Sequence, residues 1–315
     1  MRPVRLGAVN YLNARPLVFG LELRSFFALQ FDPPSKCAAL LHEGSIDVGM
    51  IPSIEYLRGA PYCAVPDVAI VSEGPVASVA MFTTKPLTEI RTIAADTSSR
   101  TSTALLRVLC YEQFGIDPEF VPMPPRPAEM LHFCDAALVI GDAALFFDHE
   151  AAHVRRVDLG EEWTSMTGLP FIWAFWAGRP AALNAEHVEA LVAARDAGVA
   201  ASDTIASVYC GPARAELGKR YLKENIRYDW GPRELEGLRA YYELARKHGL
   251  VEQGGTKGVL VRGVGEARHF RGRGRSGEDE CRRGDVEVGE VQRCCRGLGF
   301  LARAERTESA GPDPQ

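Results

Sequence analysis

A hydroxyl-rich turn between Asp96 and Ser102 is the part of the sequence best suited to chemistry. Its side chains include five hydroxyl groups and Arg100. The turn follows a short apolar strand at residues 90–95 and precedes an apolar helical face that starts at Ala104. Free backbone N–H groups at a helix start lie beside the positive end of the helix dipole and bind anions. The pattern predicts a carboxylate or phosphate site, and a helix cap with a surface arginine is the alternative.

Two asparagines follow the first predicted strand, at residues 4–9. Asn10 and Asn13 would then lie at the carboxyl end of the strand, where open α/β sheets bind their ligands. The Asn13 amide can donate and accept hydrogen bonds towards a ligand. It can equally cap a helix that includes residues 17–23, so the spacing leaves both roles open.

Two further candidates lie in or beside apolar strands. Ser78 carries a small hydroxyl within the apolar run at residues 76–83. This hydroxyl is either hydrogen-bonded within the strand or a donor that faces a cleft. Asp142 follows the buried strand at residues 136–140 and the turn residue Gly141. By default Asp142 is a helix N-cap, and by its position it is also a candidate cleft carboxylate.

The elements that must position these residues form an α/β pattern in which the chain crosses twice between two lobes. Gly74 and Pro75 interrupt the regular secondary structure just before the run at residues 76–83. An aromatic strand at residues 171–176 could return the chain beside that run. Two such crossings predict one lobe from residues 1–80 plus 177–252 and a second lobe from residues 81–176.

Composition excludes several classes of protein. The 315 residues are 46% hydrophobic and 24% charged, which is typical of a soluble globular protein with about two domains. The formal charge of −5 argues against binding to nucleic acid or a membrane surface. The eight cysteines form no CxxC pair, and Asn10, Asn13 and Arg15 interrupt any signal-peptide core. We expect a cytoplasmic protein with no nucleic-acid or membrane partner.

The sequence changes character from Gly254 onwards. Residues 254–315 are rich in Gly and Arg and show no sustained apolar period. Such a composition buries too little apolar surface to order itself, so it predicts a disordered or atypical tail. Interspersed acidic residues argue against an RNA-binding tail, and we assign this segment no function.

Several stretches between about residues 4 and 250 together resemble the family of chorismate dehydratases, in the same order along the chain. They are GAVNYLNARPL, DVGMIPSIEY, PDVAIVSEGPVASV, DTSSRTSTALLRVL, DAALVIGDAAL and DLGEEWTSMTGLPF. The resemblance implies an α/β fold of the type II periplasmic-binding-protein kind, with two lobes, a cleft between them and two crossing strands.

The same resemblance implies a lyase of the futalosine route to menaquinone. Such an enzyme removes water from chorismate to give 3-[(1-carboxyvinyl)oxy]benzoate, a reaction that needs no cofactor and no metal. The expected partner is therefore the small molecule chorismate, with a homodimer as a further expectation.

The resemblance also assigns roles to residues. Asn13 and Ser78 match positions that contact the substrate, and Asp142 is the only carboxylate we offer as a base. The alternative base, which we favour, is the enolpyruvyl carboxylate of the substrate itself. The remaining predicted substrate-binding residues are Asn10, Ser98, Ser99, Arg100, Thr101, Ser102 and Gly141, with Thr167 and Gly168 on the opposite wall.

Two alternative functions stay open. The related 1,4-dihydroxy-6-naphthoate synthase of the same pathway shares the fold, but we expect it to carry a different motif at the central turn. A solute-binding protein could hold a small carboxylate in the same cleft without reacting. Such proteins are usually exported, and the N-terminal segment does not have the pattern of a signal peptide.

Overall fold

The computed structural model describes residues 2–251, and the predicted tail at 254–315 lies outside them. The strands of the described part are β1 (Val4–Val9), β2 (Phe27–Asp32), β3 (Val48–Pro52), β4 (Cys63–Ser72), β5 (Val79–Thr83), β6 (Thr92–Asp96), β7 (Glu119–Met123), β8 (Ala136–Ile140), β9 (Arg155–Asp158) and β10 (Phe171–Gly178).

These strands form two five-stranded mixed sheets. The first has the order β2-β1-β3-β10-β4, and the second has the order β7-β6-β8-β5-β9. In the first sheet β2, β1 and β3 are parallel, and in the second sheet β7, β6 and β8 are parallel. By contrast, β10 and β5 run antiparallel to both of their neighbours. The α/β fold class predicted from the sequence is therefore confirmed.

Helices pack against both sheets. Within residues 2–251 they are α1 (Pro34–Glu43), α2 (Thr101–Leu109), α3 (Pro127–Phe133), α4 (Asp142–Leu145), α5 (Leu159–Thr167), α6 (Ala185–Ala200), α7 (Ser202–Cys210), α8 (Ala215–Arg220) and α9 (Pro232–Lys247). Single π-helical turns follow α2 and α8, at Cys110–Phe114 and Tyr221–Asn225.

The helix expected over residues 17–23 is absent from the described structure, and that prediction is wrong. This part of the chain instead contains the short 3₁₀ turns Leu12–Ala14, Pro16–Val18 and Leu21–Leu23. Pro16 has no N–H to donate to a continuing helix, and Gly20 adopts a φ of 75° that interrupts it.

The expected pairing of residues 171–176 with residues 76–83 is also wrong. β10 lies between β3 and β4 in the first sheet, whereas β5 lies between β8 and β9 in the second. All eight residues of β10 are buried, as is typical of a strand covered on both faces.

The chain passes from the first sheet to the second between β4 and β5, and it returns before β10. β5 and β10 each belong wholly to one sheet. If each sheet defined one lobe, the two boundaries between the lobes would lie at residues 73–78 and just before residue 171. The division into lobes 1–80 with 177–252 and 81–176 stays a prediction.

A carboxylate just before β8 should make stability depend on pH. Asp135 accepts hydrogen bonds from Lys85 Nζ at 2.5 Å and from the backbone N–H groups of Arg91 and Thr92. The Lys85 ammonium and these N–H groups lower the pKa of Asp135 to about 2. Because the folded pKa is below the unfolded one, the stabilisation is present above about pH 4 and is lost as the pH falls towards 2.

We therefore expect Asp135→Asn to lower the free energy of unfolding by about 1 kcal/mol at neutral pH, after allowance for solvent screening. The difference from wild type should vanish near pH 2, as followed by urea unfolding at several pH values. Asp229→Asn is the control, because Asp229 is exposed and makes no hydrogen bond within residues 2–251. Equal stability of Asp135→Asn and wild type at neutral pH would contradict this prediction.

Candidate active site

A narrow cleft with a cavity volume of about 60 Å³ lies where strand ends of the two sheets approach each other. Its polar side chains are Tyr11, Asn13, Ser78, Ser99 and Arg100, and Arg100 is the charged residue among them. The rest of the lining is mostly apolar and consists of Val9, Pro34, Pro52, Ile70, Val76, Val79, Ile140, Gly141, Trp173 and Ala174. A small set of polar groups in an apolar cleft is typical of a small-molecule site.

Ser78 lies one residue before β5, not inside the strand as the sequence pattern suggested. Its hydroxyl accepts a hydrogen bond of 2.7 Å from the Tyr221 hydroxyl, and its carbonyl accepts one of 2.8 Å from the Gly141 N–H. The side chain is buried and also lines the cleft. The structure thus places Ser78 where a cleft donor was predicted.

The backbone before Ser78 is held in an unusual conformation. Ala77 has a φ of 62°, a left-handed value that costs a residue with a Cβ free energy. Its N–H donates to Asp158 at 2.8 Å, and its carbonyl accepts from Arg156 at 2.6 Å. Asp158 also accepts from the Val76 N–H. These contacts hold the turn and so fix the position of Ser78.

Asn13 lies in the 3₁₀ turn Leu12–Ala14 and lines the cleft. Among residues 2–251 its Oδ1 atom is buried and has no hydrogen-bond partner, so an acceptor is available to a ligand. The helix over residues 17–23 that Asn13 could cap is absent from the described part of the chain, and the 3₁₀ turns there have Arg15 and Gly20 at their N-cap positions, so the alternative role as a helix cap is not what the structure shows.

The side chains of the hydroxyl-rich turn have two different roles, and the first is to stabilise the turn itself. Ser98 donates from both its backbone N–H and its hydroxyl to Asp96, and its hydroxyl lies 3.1 Å from the Tyr11 hydroxyl. The Thr101 hydroxyl accepts from the Ile54 N–H at 3.2 Å. Neither Ser98 nor Thr101 is part of the cleft lining, so these hydroxyls stabilise the turn and its contact with the first sheet.

Ser99 and Arg100 are the turn residues that face the cleft. Within the described chain, the Ser99 hydroxyl is buried without a hydrogen-bond partner. Arg100 makes no salt bridge within 4 Å there, and its charge acts on the buried Glu55, where it helps to lower the pKa of that carboxyl. Arg100 stands at the start of α2 and makes no side-chain capping bond to it. A hydroxyl without a partner and an exposed guanidinium at a helix start form a suitable site for a carboxylate.

Asp142 does not line the cleft, although it lies next to Gly141, which does. Its Oδ1 accepts from the Leu12 N–H at 3.1 Å, and its Oδ2 accepts from the Tyr209 hydroxyl at 2.5 Å. Burial raises the pKa of Asp142, and these two donors partly oppose that shift. Both carboxylate oxygens are therefore engaged, and they connect α4 to the turn that carries Asn13.

Four other predicted site residues are not brought to the cleft. The Asn10 carbonyl lies 2.9 Å from the Tyr209 hydroxyl, whose proton goes to Asp142 in the shorter bond, and the Asn10 side chain is exposed. Ser102 is buried in α2. Thr167 donates to the carbonyl of Trp163 and, with Gly168, ends α5. Their predicted contacts with substrate have no support in this geometry.

The structure adds residues that the sequence did not single out. Trp173 lines the cleft from β10 and donates through Nε1 to Ser72 at 3.0 Å. Tyr221 and Tyr209 reach the site from the helical region between residues 184 and 250, which the sequence shows only as helices. No local motif marks these tyrosines, because each contacts a partner more than sixty residues away.

Within residues 2–251 no cluster of His, Cys, Asp and Glu side chains could hold a metal ion. No helix in the same range is long and apolar enough to cross a membrane.

Solved structures show the class of fold. A protein from Archaeoglobus fulgidus has a TM-score of 0.66 at 17% identity, with 79% of this chain and 98% of that chain covered. The periplasmic aliphatic sulphonate binding protein of Escherichia coli has a TM-score of 0.58 at 17% identity, with 80% and 94% covered. The fold is therefore periplasmic-binding-protein-like, as predicted from the sequence.

Sequence comparison then shows the family. The chain belongs to the menaquinone biosynthesis family, whose sequence model matches residues 4–247. The chorismate dehydratase of Thermus thermophilus is 32% identical, with 77% of this chain and 95% of that protein covered. The resemblance to chorismate dehydratases stated from the sequence motifs is confirmed.

Proposed function

We propose that this enzyme removes water from chorismate to give 3-[(1-carboxyvinyl)oxy]benzoate, a step of the futalosine route to menaquinone. Family membership supports the pathway, and the relative named chorismate dehydratase supports the reaction. The observation that carries the proposal is the convergence of Ser78, Asn13, Ser99 and Arg100 on one cleft. Two of them, Asn13 and Ser99, bring buried polar atoms that have no partner within the described residues.

Chorismate carries two carboxylates, and we assign its ring carboxylate to Ser99 and Arg100. Removing the ring proton beside the ether sends negative charge through the ring onto this carboxylate. A guanidinium and a helix N-terminus stabilise such charge because they are fixed before the reaction starts. α2 supplies the helix start and Arg100 supplies the guanidinium.

The second half of the reaction expels the neighbouring hydroxyl group. The electron pair from the broken C–H bond completes the aromatic ring as the C–O bond breaks, and the departing oxygen leaves as water. We assign Ser78 as a hydrogen-bond donor to this oxygen and Asn13 Oδ1 as an acceptor that orients the hydroxyl before it leaves. Their positions in the cleft support both roles.

For the base we propose the enolpyruvyl carboxylate of the substrate. It is attached next to the proton that must be removed, and it can hand that proton to the departing oxygen. The cleft lining includes Arg100 as its charged residue and no carboxylate, while Asp142 is engaged by Leu12 and Tyr209. Asp142 is then a positioning residue for the turn that holds Asn13.

The direct test is an incubation of the purified protein with chorismate, followed by chromatography, mass spectrometry and an ultraviolet spectrum. A benzoate product one water lighter than chorismate is the expected result. Tight binding without product would indicate a binding protein for a small carboxylate. The absence of both binding and turnover would overturn the proposal and direct the test to the naphthoate synthase reaction.

Replacing Arg100 should weaken substrate binding and also slow turnover, because the guanidinium binds the ring carboxylate before the reaction and stabilises its added charge during it. A charge-assisted hydrogen bond contributes about 1.5–3 kcal/mol, so we expect Arg100→Gln to raise KM by about ten- to a hundredfold. Arg126→Gln is the control, because Arg126 is exposed and pairs only with Glu129 among the described residues. An unchanged KM in steady-state kinetics would rule out Arg100 as the carboxylate ligand.

We further propose that the protein acts in the cytoplasm. Cys37 and Cys110 are buried free thiols, which is compatible with a reducing compartment. A homodimer stays a prediction that light scattering of the full chain would test.

A further inference from the structure

Tyr221 is a buried residue that contacts Ser78 and is not among the residues that line the cleft. It is the first residue of the π-helical turn that follows α8, and it is 2% exposed. It does not belong to the cleft lining, so it has no direct route to a substrate. Its hydroxyl is 2.7 Å from the Ser78 Oγ. Any effect of Tyr221 on the reaction must therefore act through its neighbours.

The hydrogen bond between these hydroxyls has a defined direction. The geometry makes the Tyr221 O–H the donor and the Ser78 Oγ the acceptor. Burial raises the pKa of Tyr221 above its usual value, and hydrogen bonds with Ser78 and Asn13 offset only part of that shift. The phenol therefore keeps its proton at neutral pH and stays a donor.

The direction of this bond decides where the Ser78 proton points. A serine hydroxyl has one proton to donate, and Tyr221 already occupies an acceptor site on the oxygen. Within residues 2–251 the Ser78 hydroxyl has no hydrogen-bond partner other than Tyr221. Its remaining open side is the cleft, where it is part of the lining.

We propose that Tyr221 is a positioning residue that fixes the Ser78 hydroxyl as a donor towards the reacting group in the cleft. The inference rests on the proposed dehydration, because it assigns the donated hydrogen bond to the departing oxygen of chorismate. Tyr221 also lies beside the Asn13 amide, so one buried phenol supports both polar groups of that wall. Such support reduces the reorganisation needed when the C–O bond breaks.

The test is Tyr221→Phe, which keeps the aromatic ring and removes only the donor. We expect kcat to fall by about tenfold or more while KM for chorismate stays within about twofold, because Tyr221 does not contact the substrate. A structural role alone would lower the temperature of unfolding without this separation of kcat from KM.

Tyr228→Phe is the matched control. Tyr228 is also a buried tyrosine, 4% exposed, and its hydroxyl has no hydrogen-bond partner among residues 2–251. It lies outside the cleft lining. We expect this variant to keep wild-type kcat and KM.

A double variant tests whether Tyr221 acts through Ser78. In Ser78→Ala the hydroxyl that Tyr221 orients is gone, so adding Tyr221→Phe should cause little further loss of kcat. Losses that simply multiply, or a Tyr221→Phe variant with wild-type kcat, would overturn the inference. Wild-type protein that does not convert chorismate would instead overturn the proposed function, so the two failures are distinguishable.

Discussion

Ser78→Ala should lower kcat for chorismate dehydration by about 100- to 1,000-fold with a small change in KM. The variant loses the one hydroxyl that Tyr221 orients towards the cleft, and an alanine methyl group cannot donate to the departing oxygen. The charge on that oxygen develops as the C–O bond breaks, so the missing hydrogen bond costs more in the transition state than in the bound substrate. Product formation followed by chromatography gives both kinetic constants.

Ser202→Ala is the control for this experiment. Ser202 is buried, its hydroxyl donates to the Val199 carbonyl at 2.7 Å, and it is not part of the cleft lining. Its loss should lower stability slightly and leave kcat unchanged. A Ser78→Ala variant with kcat within threefold of wild type would remove Ser78 from the mechanism and leave Asn13 as the polar group nearest the hydroxyl.

The strands of this fold are largely readable from the sequence. The predicted strands at residues 4–9 and 136–140 coincide with β1 and β8. Both are short apolar runs that end in turn residues, and each lies within its sheet with neighbours on both sides. A buried strand needs continuous apolar side chains, so its limits are written into the local sequence.

The pairing of strands that are distant in the sequence is much harder to predict from the sequence. The apolar run of β10 shows that a buried strand exists, but not that β3 and β4 are its partners. The helix α5 was not anticipated, although Asp158 caps its start by accepting from the Gly160 and Glu161 N–H groups. The aromatic residues of the next strand, β10, give the clearest pattern in this part of the sequence, and they do not indicate the helix before them.

The candidate site shows the same limit. Ser78, Asn13, Ser99 and Arg100 are in the cleft, as the motifs suggested. Which hydroxyls of the central turn are free depends on partners that are distant in sequence, such as Ile54 for the Thr101 hydroxyl. Tyr221, likewise, is one aromatic residue among several until the fold places it beside Ser78.

Gly141→Ala should damage both stability and activity. Gly141 has a φ of 64° and a ψ of −144°, a conformation that is essentially restricted to glycine. An added Cβ would come within 2.6 Å of the Tyr11 ring, whose hydroxyl contacts Ser98. We expect the free energy of unfolding to fall by about 2–4 kcal/mol and kcat/KM to fall at least about tenfold. Denaturant unfolding and steady-state kinetics measure the two effects.

Gly115→Ala is the control for a left-handed glycine that has neither the glycine-specific ψ of Gly141 nor its close neighbour. Gly115 also has a positive φ, 65°, but among residues 2–251 no atom lies within 4 Å of an added Cβ. This variant should lose about 1 kcal/mol of stability and keep full activity, because a left-handed alanine carries the strain alone. If Gly141→Ala were no worse than Gly115→Ala in both measurements, neither the backbone conformation of Gly141 nor its closeness to Tyr11 would have a role in shaping the cleft. If only its activity fell further, Tyr11 and the turn at Gly141 would act on the site without supporting the fold.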